Sequence, residues 1–217
     1  MPSLEHSLER SLTPAELDLF RSLTTPRKIQ DFLDTVKYEP EYFNRAPLRV
    51  LRERTAHCLD GALFAAAALQ RIGHPPLVID LLPEPLVDDD HVLAIFQQNG
   101  AYGAVAKSNF TGLRYREPVF RTRRELVMSY FEDFFNSRGQ KTLRAYTAPL
   151  NLAAFDALRW ETDDAAADLI EARLKELRQF PVLTPAMIRD LSPVDRGKLE
   201  AGLLGADRAG LFKPGIA

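Results

Sequence analysis

The sequence predicts an α+β fold in which one buried helix packs on a small antiparallel sheet, with further helices before and after this core. The run His57–Ile72 is apolar almost all round and has few helix-breaking residues, which is typical of a helix buried on every side. Three short runs rich in apolar and β-branched residues follow it, Leu77–Leu82, Val92–Phe96 and Ala101–Ala106. Such runs are typical of strands.

Helices are expected first at the N-terminus. Thr13-Pro14 and Thr25-Pro26 each place a good N-cap residue before a proline at the first helical position. Ile29, Phe32 and Leu33 then fall at helical spacing. We therefore expect residues 1–24 to form a helical extension and residues 25–140 to form the core.

The central helix carries the only cysteine of the chain in its first turn, at Cys58. Thr55 is the expected N-cap, and Gly73 is the expected stop. Free backbone N–H groups and the positive end of the helix dipole favour a thiolate at such a position, and they could also hold an oxyanion. Inert packing is the alternative, because a lone cysteine on an apolar helix is most often a small core residue.

The strands are expected to bring two polar residues to one end of the sheet. His91 begins the second strand, and Asn109 follows the third, with Asn99-Gly100 as the hairpin turn between them. A register in which facing residue numbers sum to 200 puts both side chains on one face and requires an odd-length loop or a bulge. We predict that register. In a register of 199, Ser108 lies opposite His91 instead.

Helices return in the last third of the chain. Glu125–Arg138 carries an aromatic stripe, Asp163–Phe180 is charged and amphipathic, and Thr184-Pro185 repeats the cap-and-proline start. Residues 141–217 are therefore expected to form a mostly helical extension packed on the core in a single compact unit. These helices could bind a partner or close a pocket.

The overall composition restricts the function. The chain of 217 residues has a formal charge of −2, which gives no reason to expect nucleic acid or a membrane surface as a partner. A single cysteine excludes an internal disulfide. Met1–His6 lacks a basic region followed by an apolar run, so a cytoplasmic location is expected. The oligomeric state is left open.

Cys58, His91 and Asn109 together resemble the site of a known family. The helix His57–Leu69, its ending Arg71-Ile72-Gly73-His74-Pro75 and the later His91 and Asn109 resemble the cysteine helix, histidine strand and third strand of transglutaminase-like proteins, part of the papain-like group. The resemblance covers Thr25 to Asn136, so residues 25–140 would be a transglutaminase-like core. This chain differs from the family at Asn109, where members usually have Asp, and at Leu59, where the animal cross-linking enzymes have Trp.

The resemblance implies a thiol-dependent hydrolase or acyl transferase that acts on a peptide, a protein or a small amide. Cys58 would attack the carbonyl, His91 would move the proton, and Asn109 would orient His91. The Cys58 N–H is the expected oxyanion donor. The alternative is a catalytically silent member of the fold that acts as a peptide-binding or scaffold module.

Several neighbouring residues have other expected roles. His57 points about 100° away from Cys58 on the helix, so we expect it to flank the pocket or cap the helix. Asp60 is expected to serve the helix start, and Ser108 to line the pocket. The spacings of Cys58 and the histidines match no zinc pattern, and no metal or other cofactor is expected. Asp88–Asp90 could bind a cation, although such runs are most often solvated.

Overall fold

The chain folds as an α+β protein with an antiparallel sheet, as predicted. The computed structural model describes residues 7–39 and 43–212. The N-terminal residues 1–6, where a leader was considered, lie outside this range, as do residues 213–217. No helix among the described residues has the length and apolar character needed to cross a membrane.

Helices and strands alternate irregularly along the described residues. The helices are α1 (Ser7–Arg10), α2 (Pro14–Ser22), α3 (Pro26–Thr35), α4 (Pro47–Glu53), α5 (Cys58–Arg71), α6 (Arg123–Met128), α7 (Asp164–Lys175), α8 (Pro185–Arg189) and α9 (Arg196–Gly202). The strands are β1 (Lys37–Tyr38), β2 (Thr55–Ala56), β3 (Leu77–Pro83), β4 (His91–Gln98), β5 (Ala101–Val105), β6 (Arg116–Phe120), β7 (Leu143–Thr147), β8 (Leu150–Asn151) and β9 (Gln179–Pro181).

Seven of these strands form one antiparallel sheet in the order β6-β5-β4-β3-β7-β9, with β8 also paired to β3. Strands β7 and β8 both pair with β3, although they begin 60 or more residues after it ends. The sheet therefore continues across residue 140, where the sequence suggested a change from core to extension. Strands β1 and β2 form a separate parallel pair that leads into α5.

Helix α5 is buried on all sides because its residues are small and apolar. Every residue from Leu59 to Leu69 is buried, in the core that also takes Val78 of β3 and Val92 of β4. The opposite face of the sheet packs against the aromatic segment that begins with α6. That segment was expected to be helical from Glu125 to Arg138, but α6 ends at Met128 and turns follow it.

The turn between β4 and β5 sets the register of the hairpin. Asn99 and Gly100 have φ angles of 52° and 78°, the left-handed values that a two-residue hairpin turn of this kind requires. Gln98 pairs with Ala101, and Ala94 pairs with Val105. The paired numbers therefore sum to 199, and the predicted register of 200 is wrong because the loop has two residues and no bulge.

Candidate active site

Cys58 begins α5, and the residue before it is the N-cap. That N-cap is His57, so the expectation that Thr55 caps the helix is wrong. The carboxylate of Asp60 explains this start, because it accepts a hydrogen bond from the His57 N–H at 3.2 Å. Cys58 consequently occupies the first helical position, in the turn where the sequence placed it.

The thiol of Cys58 contacts the backbone of β4 on both sides of His91. Its sulfur lies 3.9 Å from the carbonyl oxygen of Asp90, and the Val92 N–H donates a hydrogen bond to it. The ladder between β4 and β5 begins only at Ala94. The thiol therefore lies against β4 just beyond the end of that ladder.

Carboxylates surround this thiol and oppose its ionisation. Burial raises the pKa of Cys58 well above its usual range, and the negative charges of Asp90, Asp89 and Asp80 raise it further. The hydrogen bond from Val92 acts in the opposite direction. Despite its place at a helix N-terminus, Cys58 is therefore a protonated thiol at neutral pH, contrary to the sequence-based expectation of a thiolate.

His91 is the first residue of β4, and its side chain is buried. Its Nε2 atom lies 2.7 Å from the carbonyl oxygen of Leu113. A carbonyl only accepts hydrogen bonds, so Nε2 carries the ring proton and Nδ1 has the free lone pair. The pKa of His91 is lowered to about 4, mainly by burial and also by the positive charge of Arg116, although the bond to Leu113 opposes this change. The ring is therefore neutral at physiological pH.

The alternation of side chains along β4 places His91 on the sheet face opposite α5. Leu93 and Ile95, which share its parity, belong to the core on that far face. Cys58 and His91 nevertheless line the same small cavity, of about 50 Å³. The two residues are thus brought together at the end of the sheet, where the thiol lies against the backbone of β4.

Asn109 lines the small cavity but makes no hydrogen bond to His91 among the described contacts. Its Nδ2 donates to the carbonyl oxygen of Asp207, and its Oδ1 accepts from the Asp207 N–H, each at 2.8 Å. The acceptor that holds the imidazole is the Leu113 carbonyl instead. The expected contact between Asn109 and His91 is therefore absent from the described residues, because the register differs and the amide is already bonded.

Ser108 is buried and lines the small cavity with His91. Its hydroxyl oxygen accepts a hydrogen bond from the Phe110 N–H at 3.0 Å. This bond is local to the loop after β5. Ser108 is thus a lining residue, with its hydroxyl engaged in the turn.

His57, Asp60 and Arg45 form a polar network at the start of α5. The Nε2 atom of His57 lies 3.2 Å from Oδ1 of Asp60. Asp60 is fully buried, and its other oxygen lies 3.2 Å from Nη1 of Arg45, which is 2% exposed. A buried carboxylate needs such partners. These contacts fix the start of α5, and they make His57 a second histidine beside Cys58.

Gly61 allows the loop after β5 to approach α5. A Cβ atom at Gly61 would clash with Cβ of Lys107. The Nζ of Lys107 donates hydrogen bonds to the carbonyl oxygens of Leu33, at 3.1 Å, and Val36 at the end of α3. Lys107 thus joins α3 to the loop that carries Ser108 and Asn109. The sequence shows Gly61, but nothing local in it indicates this close approach.

A larger cavity of about 200 Å³ also borders Cys58 and shares Tyr38, Asp89 and Asp90 with the small one. Its lining includes Tyr38, His57, Asp80, Asp89, Asp90, Glu171, Lys175 and the segment Ala209–Phe212. Sequence reasoning missed Asp80, although an aspartate inside the apolar run Leu77–Leu82 was a visible signal. It also missed the C-terminal segment and Leu113, whose positions depend on the tertiary fold.

The described residues do not include a group of three or more His, Cys, Asp or Glu side chains arranged to hold a metal ion. The carboxylates near Cys58 thus form an acidic lining without metal-ligand geometry. Chemically, the site combines a thiol, a neutral imidazole and an acidic cavity.

No protein-family model matches this chain, and no curated protein matches it. Among solved structures, Legionella pneumophila LapG has a TM-score of 0.35 and 18% identity, covering 43% of this chain and 61% of that chain. EGTA-treated LapG from the same organism has a TM-score of 0.40 and 14% identity, covering 72% of this chain and 86% of that chain. This chain thus spans less than two thirds of the first LapG structure. Both likenesses are distant and concern the fold alone, so the proposals below depend on the residues of this chain.

Proposed function

We propose that this protein is a thiol-dependent enzyme that cleaves or transfers an acyl group at an amide or peptide bond. Cys58 is the nucleophile, and His91 is the base. The observation that carries this proposal is the contact of the Cys58 thiol with the backbone on both sides of His91, within one cavity that both side chains line.

The tautomer of His91 supports its role as base. Because the Leu113 carbonyl holds the proton on Nε2, Nδ1 is left with the lone pair that can take the thiol proton. This carbonyl takes the orienting role that the family resemblance gave to Asn109. A neutral histidine beside a neutral thiol can transfer the proton as the sulfur attacks, without a preformed ion pair.

The proposed reaction has two stages. The thiol proton of Cys58 passes to Nδ1 of His91 while the sulfur forms a bond to the carbonyl carbon, and the Cys58 N–H stabilises the oxyanion. The C–N bond then breaks, the leaving amine takes the proton from His91, and a thioester remains on Cys58. Water or an amine then attacks the thioester carbonyl and gives its proton to Nδ1 of His91. The C–S bond breaks and the proton returns to the Cys58 sulfur, which completes hydrolysis or transfer.

A catalytically silent peptide-binding module is the second candidate. It is favoured by the raised pKa of the Cys58 thiol and the lowered pKa of His91. Both shifts keep the two groups neutral, and the first makes the resting thiol unreactive.

Acylation by an activated aryl ester, such as p-nitrophenyl acetate, separates the two candidates. The chain has a single cysteine, so a mass gain of one acyl group that neutral hydroxylamine removes reports the thioester on Cys58, whereas acylated amines keep their acyl group. We expect rapid acylation of the wild type, none of Cys58→Ser, and strong slowing in His91→Gln, whose amide can still donate to Leu113. His57→Gln is the matched control beside the same thiol. No acylation of the wild type would support the silent module, and slowing in His57→Gln alone would identify a different base.

A further inference from the structure

Asp80 is a buried carboxyl group with an unused oxygen. It lies between Ile79 and Leu81 in β3, it is 2% exposed, and it lines the larger cavity beside Cys58. Among the described residues, no N–H or hydroxyl group donates a hydrogen bond to its Oδ1 atom, and its side chain shares a hydrogen bond with the carboxyl group of Asp90. An apolar residue would fit this strand better, and a carboxylate without a partner is costly to bury. Asp80 therefore indicates a ligand that is present only part of the time.

Other acidic side chains share this cavity. Asp89, Asp90, Glu171 and Glu39 line it together with Asp80. Burial and repulsion from Asp89 together raise the pKa of Asp90 to about 7. Carboxylates this close together favour either a shared proton or a nearby cation.

Within the described part of the chain, little positive charge lies in the cavity lining to balance these carboxylates. Lys175 lines the cavity, but its Nζ lies 2.5 Å from Glu171 and its side chain is 63% exposed. His57 lies 3.2 Å from the buried Asp60. Lys175 and His57 are thus paired with other carboxylates, and Asp80 and Asp90 are available to a positively charged ligand.

We propose that the larger cavity binds an ammonium or guanidinium group of the substrate, with Asp80 and Asp90 as its partners. The link to catalysis rests on the proposed function of Cys58, whereas the binding itself does not. An organic cation fits better than a metal ion, because the described residues form no metal-ligand cluster. The rings of Tyr38 and Phe212 in the cavity lining also suit a flat or alkylated cation.

Binding of such a cation would also change the thiol. The charges of Asp80, Asp89 and Asp90 oppose ionisation of Cys58, so neutralising them with a bound cation lowers the thiol pKa. The acidic cavity thus keeps the thiol protonated until a cationic substrate arrives.

Calorimetry with matched pairs of probes tests the binding. N-acetyl-argininamide is compared with the neutral N-acetyl-citrullinamide, and N-acetyl-lysinamide with N-acetyl-norleucinamide, on the full chain. We expect at least one cationic probe to bind about tenfold or more tightly than its neutral partner. The cationic probe that binds more tightly shows whether the cavity prefers a guanidinium or an ammonium group. Equal affinity within both pairs would overturn the proposal.

Variants of the cavity residues show whether the cation binds there, and a variant of Cys58 separates the binding measurement from catalysis. Asp80→Asn and, separately, Asp90→Asn are expected to abolish the preference for the cation, whereas Asp18→Asn on the exposed surface of α2 should keep it. A preference that survives in both cavity variants would overturn the proposal. Binding measured on Cys58→Ser keeps the two proposals separate, because a cation preference there stands even if aryl esters never acylate the wild type. In the wild type, the bound probe should shift the pH midpoint of thiolate alkylation downward.

Discussion

The side-chain amide of Asn109 and the backbone of Asp207 are joined by two reciprocal hydrogen bonds of 2.8 Å. This pair anchors the segment that continues to Phe212, and Ala209–Phe212 lines the larger cavity beside Cys58. Gly210 lies against the ring of Tyr38 and the amide of Asn109, where an added Cβ would come within 3.3 Å of both. Asn109 therefore holds the C-terminal segment at the site.

Asn109→Ala is expected to loosen this segment. Two hydrogen bonds are lost, each worth about 0.5–1.5 kcal/mol, so local opening of residues 203–212 should increase about tenfold. Hydrogen exchange followed by mass spectrometry measures this change, and iodoacetamide should label Cys58 faster. Ser108→Ala is the control, because it removes only a local bond to Phe110. Slower labelling of Asn109→Ala with unchanged exchange would instead support an orienting role toward His91.

Asp60→Asn is expected to lower the free energy of unfolding by about 3 kcal/mol, because it removes the buried carboxylate that pairs with the buried Arg45 and leaves the partly exposed Glu53, at 3.5 Å, to balance that charge. Asp31→Asn removes one member of an exposed pair with Arg27, and it should cost less than about 1 kcal/mol. Urea denaturation measures both. Equal, small losses would mean that Asp60 does not secure the start of α5.

Gly61→Ala is expected to destabilise the fold by about 1–3 kcal/mol, because the new methyl group meets Lys107 inside a packed contact. Ala also has the higher helix propensity, so an exposed site would gain stability. Thermal unfolding measures the change. An increase in stability would show that the loop after β5 moves away from α5 at no cost.

The stability of Asp90→Asn relative to the wild type should depend on pH. The pKa of Asp90 rises from 3.8 in the unfolded chain to about 7 in the fold, so the folded state holds its proton more tightly. Its favourable contribution is complete below about pH 4 and is lost as the pH rises to about 7. Asp80, Asp89 and Glu171 oppose its charge, and Lys175 favours it.

Asp90→Asn should therefore gain stability over the wild type as the pH rises from 4 to 8, which urea denaturation at several pH values can follow. Asp18→Asn is the control for a change of surface charge. A difference between Asp90→Asn and the wild type that does not vary with pH would show that Asp90 ionises normally in the fold.

The sequence predicted the features that depend on local patterns. Helix α5 is apolar on every side, and Asn99-Gly100 is a strong hairpin signal, so both were expected correctly. The register of the hairpin depends on the exact length of its loop, and the prediction was wrong by one residue. In the observed register, Asn109 does not face His91. The partner of Asn109 lies 98 residues further along the chain, and only the tertiary fold brings Leu113 to His91. The pKa of Cys58 could not be predicted either, because its carboxylate neighbours come from the middle of β3 and from the loop just before β4.

Iodoacetamide alkylation of Cys58 as a function of pH tests whether His91 takes the proton of the thiol. The neutral imidazole of His91 can accept the thiol proton above its pKa of about 4. The wild type should therefore show a pH-independent rate from there until the thiol itself ionises. His91→Gln should lose this plateau and follow the thiol titration alone, whereas His57→Gln should retain it. Identical curves for the wild type and His91→Gln would contradict the assignment of His91 as the base for Cys58.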